Sequence, residues 1–140
     1  MEIQSFYKTK QEVAIHQLDR AIDLFTQEQD IICATTLAGA SEEIFGKLLE
    51  EIGGQSWLKE HIDLCLDLLG HAGHPEIKEK DIANERNQLR NNLKHLCDGE
   101  DVLIINFEAK EMIDRAINNM LKLGIPPSKK IDVFISTFWK

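Results

Sequence analysis

What the chain lacks narrows it quickly. No apolar run approaches the roughly 20 residues that a membrane-spanning helix needs. The opening MEIQSFYKTKQEVAIH has none of the basic-then-apolar layout of a signal peptide, so we expect a cytoplasmic protein. Cysteine is scarce: Cys33, Cys65 and Cys97 are odd in number, widely spaced and in no CxxC arrangement. That pattern argues against a disulfide framework and a zinc site, and leaves buried structural thiols as the expectation. Aromatic residues are only 6% of the chain. Positive charge is also short, 16 Lys and Arg against 24 Asp and Glu for a net charge of −8, which excludes a protein that coats nucleic acid with a broad basic surface. Strand signals are nearly absent. Val102 to Ile105 (VLII) stands without a partner strand, so an extended or partly helical connector is expected there.

What remains is enough for a folded domain. At 140 residues with 43% apolar and 29% charged side chains, the chain can bury a core without metal or disulfide staples, and no linker divides it. One domain over 1–140 is expected. Helical periodicity recurs along its length. Thr9 to about Gln29 places Val13, Leu18, Ala21, Ile22 and Phe25 on one stripe, with Thr9 as cap. Asp30 starts a second helix to about Ile52, the most apolar, whose Ala34, Ala38 and Ser41 allow a neighbour to come close before Gly53-Gly54 stops it. Ser56 caps a third, with Leu58, Ile62, Cys65, Leu66 and Leu69 inward and Gly70 as the stop. After a fourth helix, Glu108 to Leu123 turns Ile113, Ala116, Ile117, Met120 and Leu121 inward and ends at Gly124 and Pro126-Pro127. Ser128 then caps SKKIDVFISTFWK, whose Ile131, Phe134, Ile135 and Phe138 either close the bundle or seal a dimer. The sum is an all-α fold, an antiparallel bundle of four or five helices with a short C-terminal helix.

Histidines offer little to a metal. His71 and His74 lie in a Gly/Pro loop, GHAGHPEIKEK, with no acidic or thiol partner at ligand spacing, and His16 and His61 sit singly on helical surfaces. Neither a metal nor a cofactor is expected.

The chemistry concentrates in Ile82 to Cys97, IANERNQLRNNLKHLC. Read as one helix, it puts Ile82, Leu89, Leu93 and Leu96 on a narrow apolar face. Beside that face run Arg86, Arg90 and Lys94 at four-residue spacing, then a second row of Asn87, Asn91 and His95. Arg90 and His95 fall about 140° apart around such an axis, with Asn91 and Lys94 between. With three cations and one anion, Glu85, the stretch is net +2 in a chain of net −8. A positive strip on a negative body admits a phosphodiester locally while repelling duplex nucleic acid.

Arg90-Asn91-Asn92-Leu93-Lys94-His95 (RNNLKH) resembles the signature of the HEPN superfamily, an arginine with a small polar residue after it and a histidine five positions on, carried on a late helix of an all-α bundle. The runs HQLDRAIDLF and LAGASEEIFGKLLEE are also similar to bacterial HEPN-like proteins. The resemblance implies a metal-independent endoribonuclease, a toxin or defence effector, that dimerises so that both copies of the motif line one cleft. RNA or a nucleotide at the basic strip, a second copy of the chain and an antitoxin protein are the partners implied. Members paired with a nucleotidyltransferase antitoxin carry a tyrosine two places after the histidine; here Cys97 stands instead.

The residue types suit that chemistry. A base must take the 2′-hydroxyl proton, and histidine, with an ordinary pKa of about 6.5, titrates near working pH, which makes His95 the candidate. Arg90 presents a planar fork of donors for the phosphate. Asn91 orients the imidazole or the scissile group, and Lys94, Arg86 and Asn87 add substrate binding without base specificity. A catalytically silent nucleotide- or protein-binding module uses the same strip without turnover. A purely structural role pairs Arg86 and Arg90 with acidic neighbours such as Glu85 or another helix, or lets His95 cap its helix end. Glu42 and Glu43, on the second helix, are placed to be drawn to the strip from inside the bundle.

Overall fold

The computed structural model describes residues 1–95 and 101–140. The expected apolar contact of Leu96, the thiol of Cys97 and the stop at Asp98-Gly99 lie outside the described residues. Among the described residues, regular structure is entirely helical: seven α-helices and one π-helical turn, with no strand. The all-α class read from the sequence is the one observed, with more helices than the four or five expected. No described helix is long and apolar enough to cross a membrane.

Local chemistry sets most boundaries. Helix α1 (Lys10–Asp23) begins with a capping box in which the Thr9 hydroxyl accepts from the Glu12 N–H while Glu12 reaches back to the Thr9 N–H. It runs on into a π-helical turn (Leu24–Glu28) and closes on Gln29, which adopts a left-handed φ of 55°. Asp30 caps α2 (Ile31–Glu51) by accepting from the Cys33 N–H. Gly53, at φ 79°, ends it. Ser56 caps α3 (Trp57–His71). The stop comes later than expected: Gly70 is inside the helix, and Gly73 at φ 86° supplies the left-handed turn. Helix α6 (Asn106–Lys122) ends at Gly124, φ 75°, and Ser128 caps α7 (Lys129–Phe138). Residues 101–105, containing Val102 to Ile105, form neither helix nor strand.

Helix α2 is the centre. It packs on α1 through the small residues identified in the sequence, with the Ser41 hydroxyl donating to the Ala14 carbonyl at 2.8 Å. The two run antiparallel, because Lys10 and Glu51 border one surface hollow at the far end from the turn. On its other side lies α6. Arg115 meets Glu42 there, and Asn119 meets Gly46 one turn on, so α2 and α6 run in the same direction, with α3, α4 (Glu79–Arg86) and α5 (Gln88–Lys94) in the connection between them. The core joins Leu18, Ala21 and Ile22 of α1 to Ala38 and Phe45 of α2 and Ile113, Ile117 and Met120 of α6. Side chains such as Phe45 and Ile117, with no exposure, each contribute about 2 kcal/mol by leaving water. Helix α7 closes this core on α1, with Ile131 and Phe134 buried and Phe25, Phe134 and Phe138 meeting ring against ring.

Three local expectations are corrected. Cys33 is exposed and Cys65 only half-buried, so neither is a core thiol. Leu121 is exposed, one position beyond the inner face of α6. The stretch read as one helix from Ile82 to Cys97 is two, α4 (Glu79–Arg86) and α5 (Gln88–Lys94), with a break at Asn87 (φ −104°, ψ 11°). The cause is Arg115. Its Nη1 donates to the Arg86 carbonyl at 3.2 Å, an oxygen that in a continuous helix would serve the N–H four residues on, and its Nη2 donates to the Asn87 side-chain oxygen at 2.9 Å.

Candidate functional site

The site grows from a carboxylate in the wrong place. Glu42 falls on the buried face of α2 between Ala38 and Phe45, and its side chain is only 5% exposed. Burying an ion without a partner costs several kcal/mol. Two guanidinium groups meet it: Arg115 Nη2 donates to Oε1 at 3.0 Å, and Arg90 Nη1 to Oε2 at 3.3 Å. Arg115 is itself 1% exposed, so α6 also carries a full charge on a core position. Around this pair most polar groups are connected, the buried Arg115 Nε being left without a hydrogen-bond partner. Asn119 donates from Nδ2 to the Glu42 carbonyl at 3.2 Å and accepts from the Trp57 N–H at 2.7 Å, which ties the start of α3 to the α2–α6 seam. The Trp57 ring lies 5.3 Å from the Arg115 guanidinium, and His61 stacks on Trp57 at 4.8 Å, nearly parallel.

Arg90 occupies the outer edge of this network. Its second amino group, Nη2, donates to Glu43 Oε2 at 3.1 Å, and its side chain is 14% exposed. The aliphatic stem lies across Gly39, close enough that a Cβ there would sit 2.5 Å from Arg90 Cδ. Glu43 holds Lys47 with its other oxygen at 3.1 Å. That hydrogen bond, aided by the charges of Arg90 and Lys94 and opposed by partial burial, keeps the Glu43 carboxyl below its ordinary range. Beside these groups is a small cavity of about 180 Å³ lined by Thr36, Ala40, Glu43, Arg90 and Lys94. Arg90 and Lys94 therefore border one hollow together with Thr36, whose hydroxyl donates to the Ile32 carbonyl.

Lys94 is exposed at the last turn of α5, and Asn91 is half-buried on the same helix. Arg86 pairs with Glu111 at 3.5 Å. Asn87 faces inward to Arg115 at the break. His95 follows the last helical residue with extended backbone (φ −120°, ψ 140°), exposed, its N–H donating to the Asn91 carbonyl at 3.0 Å. The continuous row of Asn87, Asn91 and His95 on one helical face is thus not what the fold provides, because the helix breaks at the first and ends before the third.

The chain matches no protein-family model, no curated protein and no solved structure. Its site is therefore read from its own geometry. Arg115, Asn119 and Trp57 are not among the residues singled out from the sequence, where His61 stands only as a single histidine on a helical surface. The signal was present: Met112, Arg115, Ala116 and Asn119 repeat at the spacing of a buried face, so two polar residues stand where only apolar ones are expected. His61 is held below the ordinary histidine pKa, first by burial and then by the charge of Arg86, and its Nε2 lies 3.4 Å from the Cys65 sulfur. Among the described residues no three His, Cys, Asp or Glu side chains come together as a metal site.

Proposed function

We propose that this chain is a HEPN-type metal-independent endoribonuclease, a cytoplasmic toxin or defence effector that cleaves RNA through attack by the ribose 2′-hydroxyl. The observation that carries the reading is the convergence of Arg90 and Lys94 on one cavity, on the helix whose end presents His95. In this reading the scissile phosphate sits against Arg90 and Lys94, whose donors stabilise the charge that builds on its equatorial oxygens. His95 takes the 2′-hydroxyl proton as the oxygen attacks phosphorus, and the bond from phosphorus to the 5′-oxygen breaks as that oxygen takes a proton from water, giving a 5′-hydroxyl and a 2′,3′-cyclic phosphate. Asn91 orients the reacting groups. Arg86 and Asn87 act through the backbone break that aims α5. A single copy gives a shallow site open to water. A two-fold dimer corrects this by bringing the patch against its own copy, so that a second Arg90 and His95 close the cleft.

The test is cleavage of single-stranded RNA by purified protein in EDTA. Cyclic phosphate ends are expected, with loss of cutting in His95→Ala and in Arg90→Ala while circular dichroism reports an intact fold. Full activity in either variant removes the proposal. A second reading, a nucleotide- or protein-binding module without turnover, is favoured by one feature: Arg90 is already held by two carboxylates, Glu42 and Glu43. Calorimetric binding of a nucleotide or RNA with no product formed would select it.

A further inference from the structure

Of the two carboxylates on Arg90, only one is needed by the core. Glu42 is buried and is also paired with Arg115, so its charge is answered from inside the bundle. Glu43 differs in each respect. Its side chain is 43% exposed, it borders the cavity that Arg90 and Lys94 line, and it keeps a second cation, Lys47, on its other oxygen. Lys47 is one turn further along α2, with its side chain 69% exposed. Removing Glu43 from Arg90 would leave the carboxylate paired and solvated, and would leave Arg90 held by Glu42 alone with Nη2 free to donate.

We propose that Glu43 is an internal anion mimic: its carboxylate fills the place of a phosphate group against Arg90 at the mouth of the cavity, and an incoming phosphate displaces it onto Lys47. The inference rests on the reading of this cavity as a phosphate site. It adds an occupant that must leave and a place for it to go. A water takes about 30 Å³ of liquid, so a cavity of about 180 Å³ admits a tetrahedral oxyanion once the carboxylate swings out. Lys94, which lines the same cavity, then supplies the remaining donors, while the Thr36 hydroxyl stays committed to the Ile32 carbonyl. Glu43 holds Arg90 and Lys47 at the same 3.1 Å on different oxygens, so it keeps one cation when it leaves the other. The consequence is selectivity: a ligand must compete with a tethered carboxylate, so weakly charged anions are rejected and a phosphate with two donor-accepting oxygens is favoured.

The experiment is an NMR titration of the full chain with inorganic phosphate, followed through the Arg90 guanidinium and neighbouring amides. Glu43→Gln is expected to bind phosphate about tenfold more tightly than the unaltered protein, the loss of one charge-assisted competitor. Glu50→Gln, which removes the same charge from an exposed position on α2, is expected to change affinity less than about twofold, as distant surface charge is screened. Lys47→Met, which takes away the resting place, is expected to weaken binding several-fold. Equal affinity of Glu43→Gln and the unaltered protein, an equal gain in Glu50→Gln, or no perturbation of Arg90 by phosphate in any variant overturns the proposal. RNA cleavage separates it from the function above. Phosphate binding that follows the expected order without any cleavage refutes the nuclease and keeps the latch, whereas cleavage with no Glu43 effect does the reverse.

Discussion

Replacing Arg115 with methionine tests whether the ionic centre holds the fold together. The substitution keeps an unbranched side chain of similar reach but removes four interactions at once: the bond to Glu42 Oε1, the bonds to the Asn87 side chain and the Arg86 carbonyl, and the stack on Trp57. Breaking a buried pair from one side costs about 3–5 kcal/mol because a charge is left behind. Here Glu42 keeps Arg90 at 3.3 Å, so the low end, about 3 kcal/mol, is expected. Stability of a domain this size is about 5–15 kcal/mol, so the loss is large but leaves a folded protein, with a fall in Tm of about 6–12 °C. Urea denaturation followed by circular dichroism measures it. Glu42→Gln alone and the double variant complete a cycle: if the pair is coupled as drawn, the double variant is less destabilised than the sum of the singles. A cost below about 1 kcal/mol for Arg115→Met, or strict additivity with Glu42→Gln, would refute the reasoning.

Two further predictions follow from the same centre. Gly39→Ala puts a methyl group against the Arg90 stem; helix propensity improves by about 1 kcal/mol while Arg90 is pushed from its carboxylates, so a near-neutral Tm with a shifted Arg90 guanidinium resonance is expected, and an unmoved resonance contradicts the packing described. His61, whose pKa is lowered in the fold by burial and by Arg86, binds fewer protons folded than unfolded. Its contribution is therefore present above the unfolded value of about 6.5 and is lost as pH falls below it; the urea midpoint should drop between pH 7.5 and 5, and drop less in His61→Gln, whereas identical pH profiles for the two proteins would show that the histidine is not so held.

How much of this was legible in the sequence depended on how local each cause is. The caps at Thr9, Asp30, Ser56 and Ser128 and the stops at Gly53 and Gly124 were read correctly, since each rests on one side chain or one glycine acting within a turn. The small residues of α2 likewise announced the close approach of α1. The break at Asn87 is not legible, because it is made by Arg115, a residue 28 positions away that takes the Arg86 carbonyl out of the helix. Distance along the chain likewise hid Arg115 as the second partner of Glu42. Glu42 and Glu43 are legible in the sequence as carboxylates drawn to the basic strip, and Arg90 pairs with both, but periodicity does not show that Arg90 rather than Arg86 or Lys94 is the cation they meet. His95 was placed on a helical face that stops one residue too soon, since a short helix pinned at Asn87 has only seven residues to spend.

The most direct test of the functional account is the fate of a single-stranded RNA incubated with the purified protein in EDTA, with product ends identified by mass spectrometry. Fragments ending in 2′,3′-cyclic phosphate are expected from the unaltered chain and are expected to be absent with His95→Ala at unchanged Tm. Intact RNA with the unaltered chain, or the same fragments from His95→Ala, contradicts it.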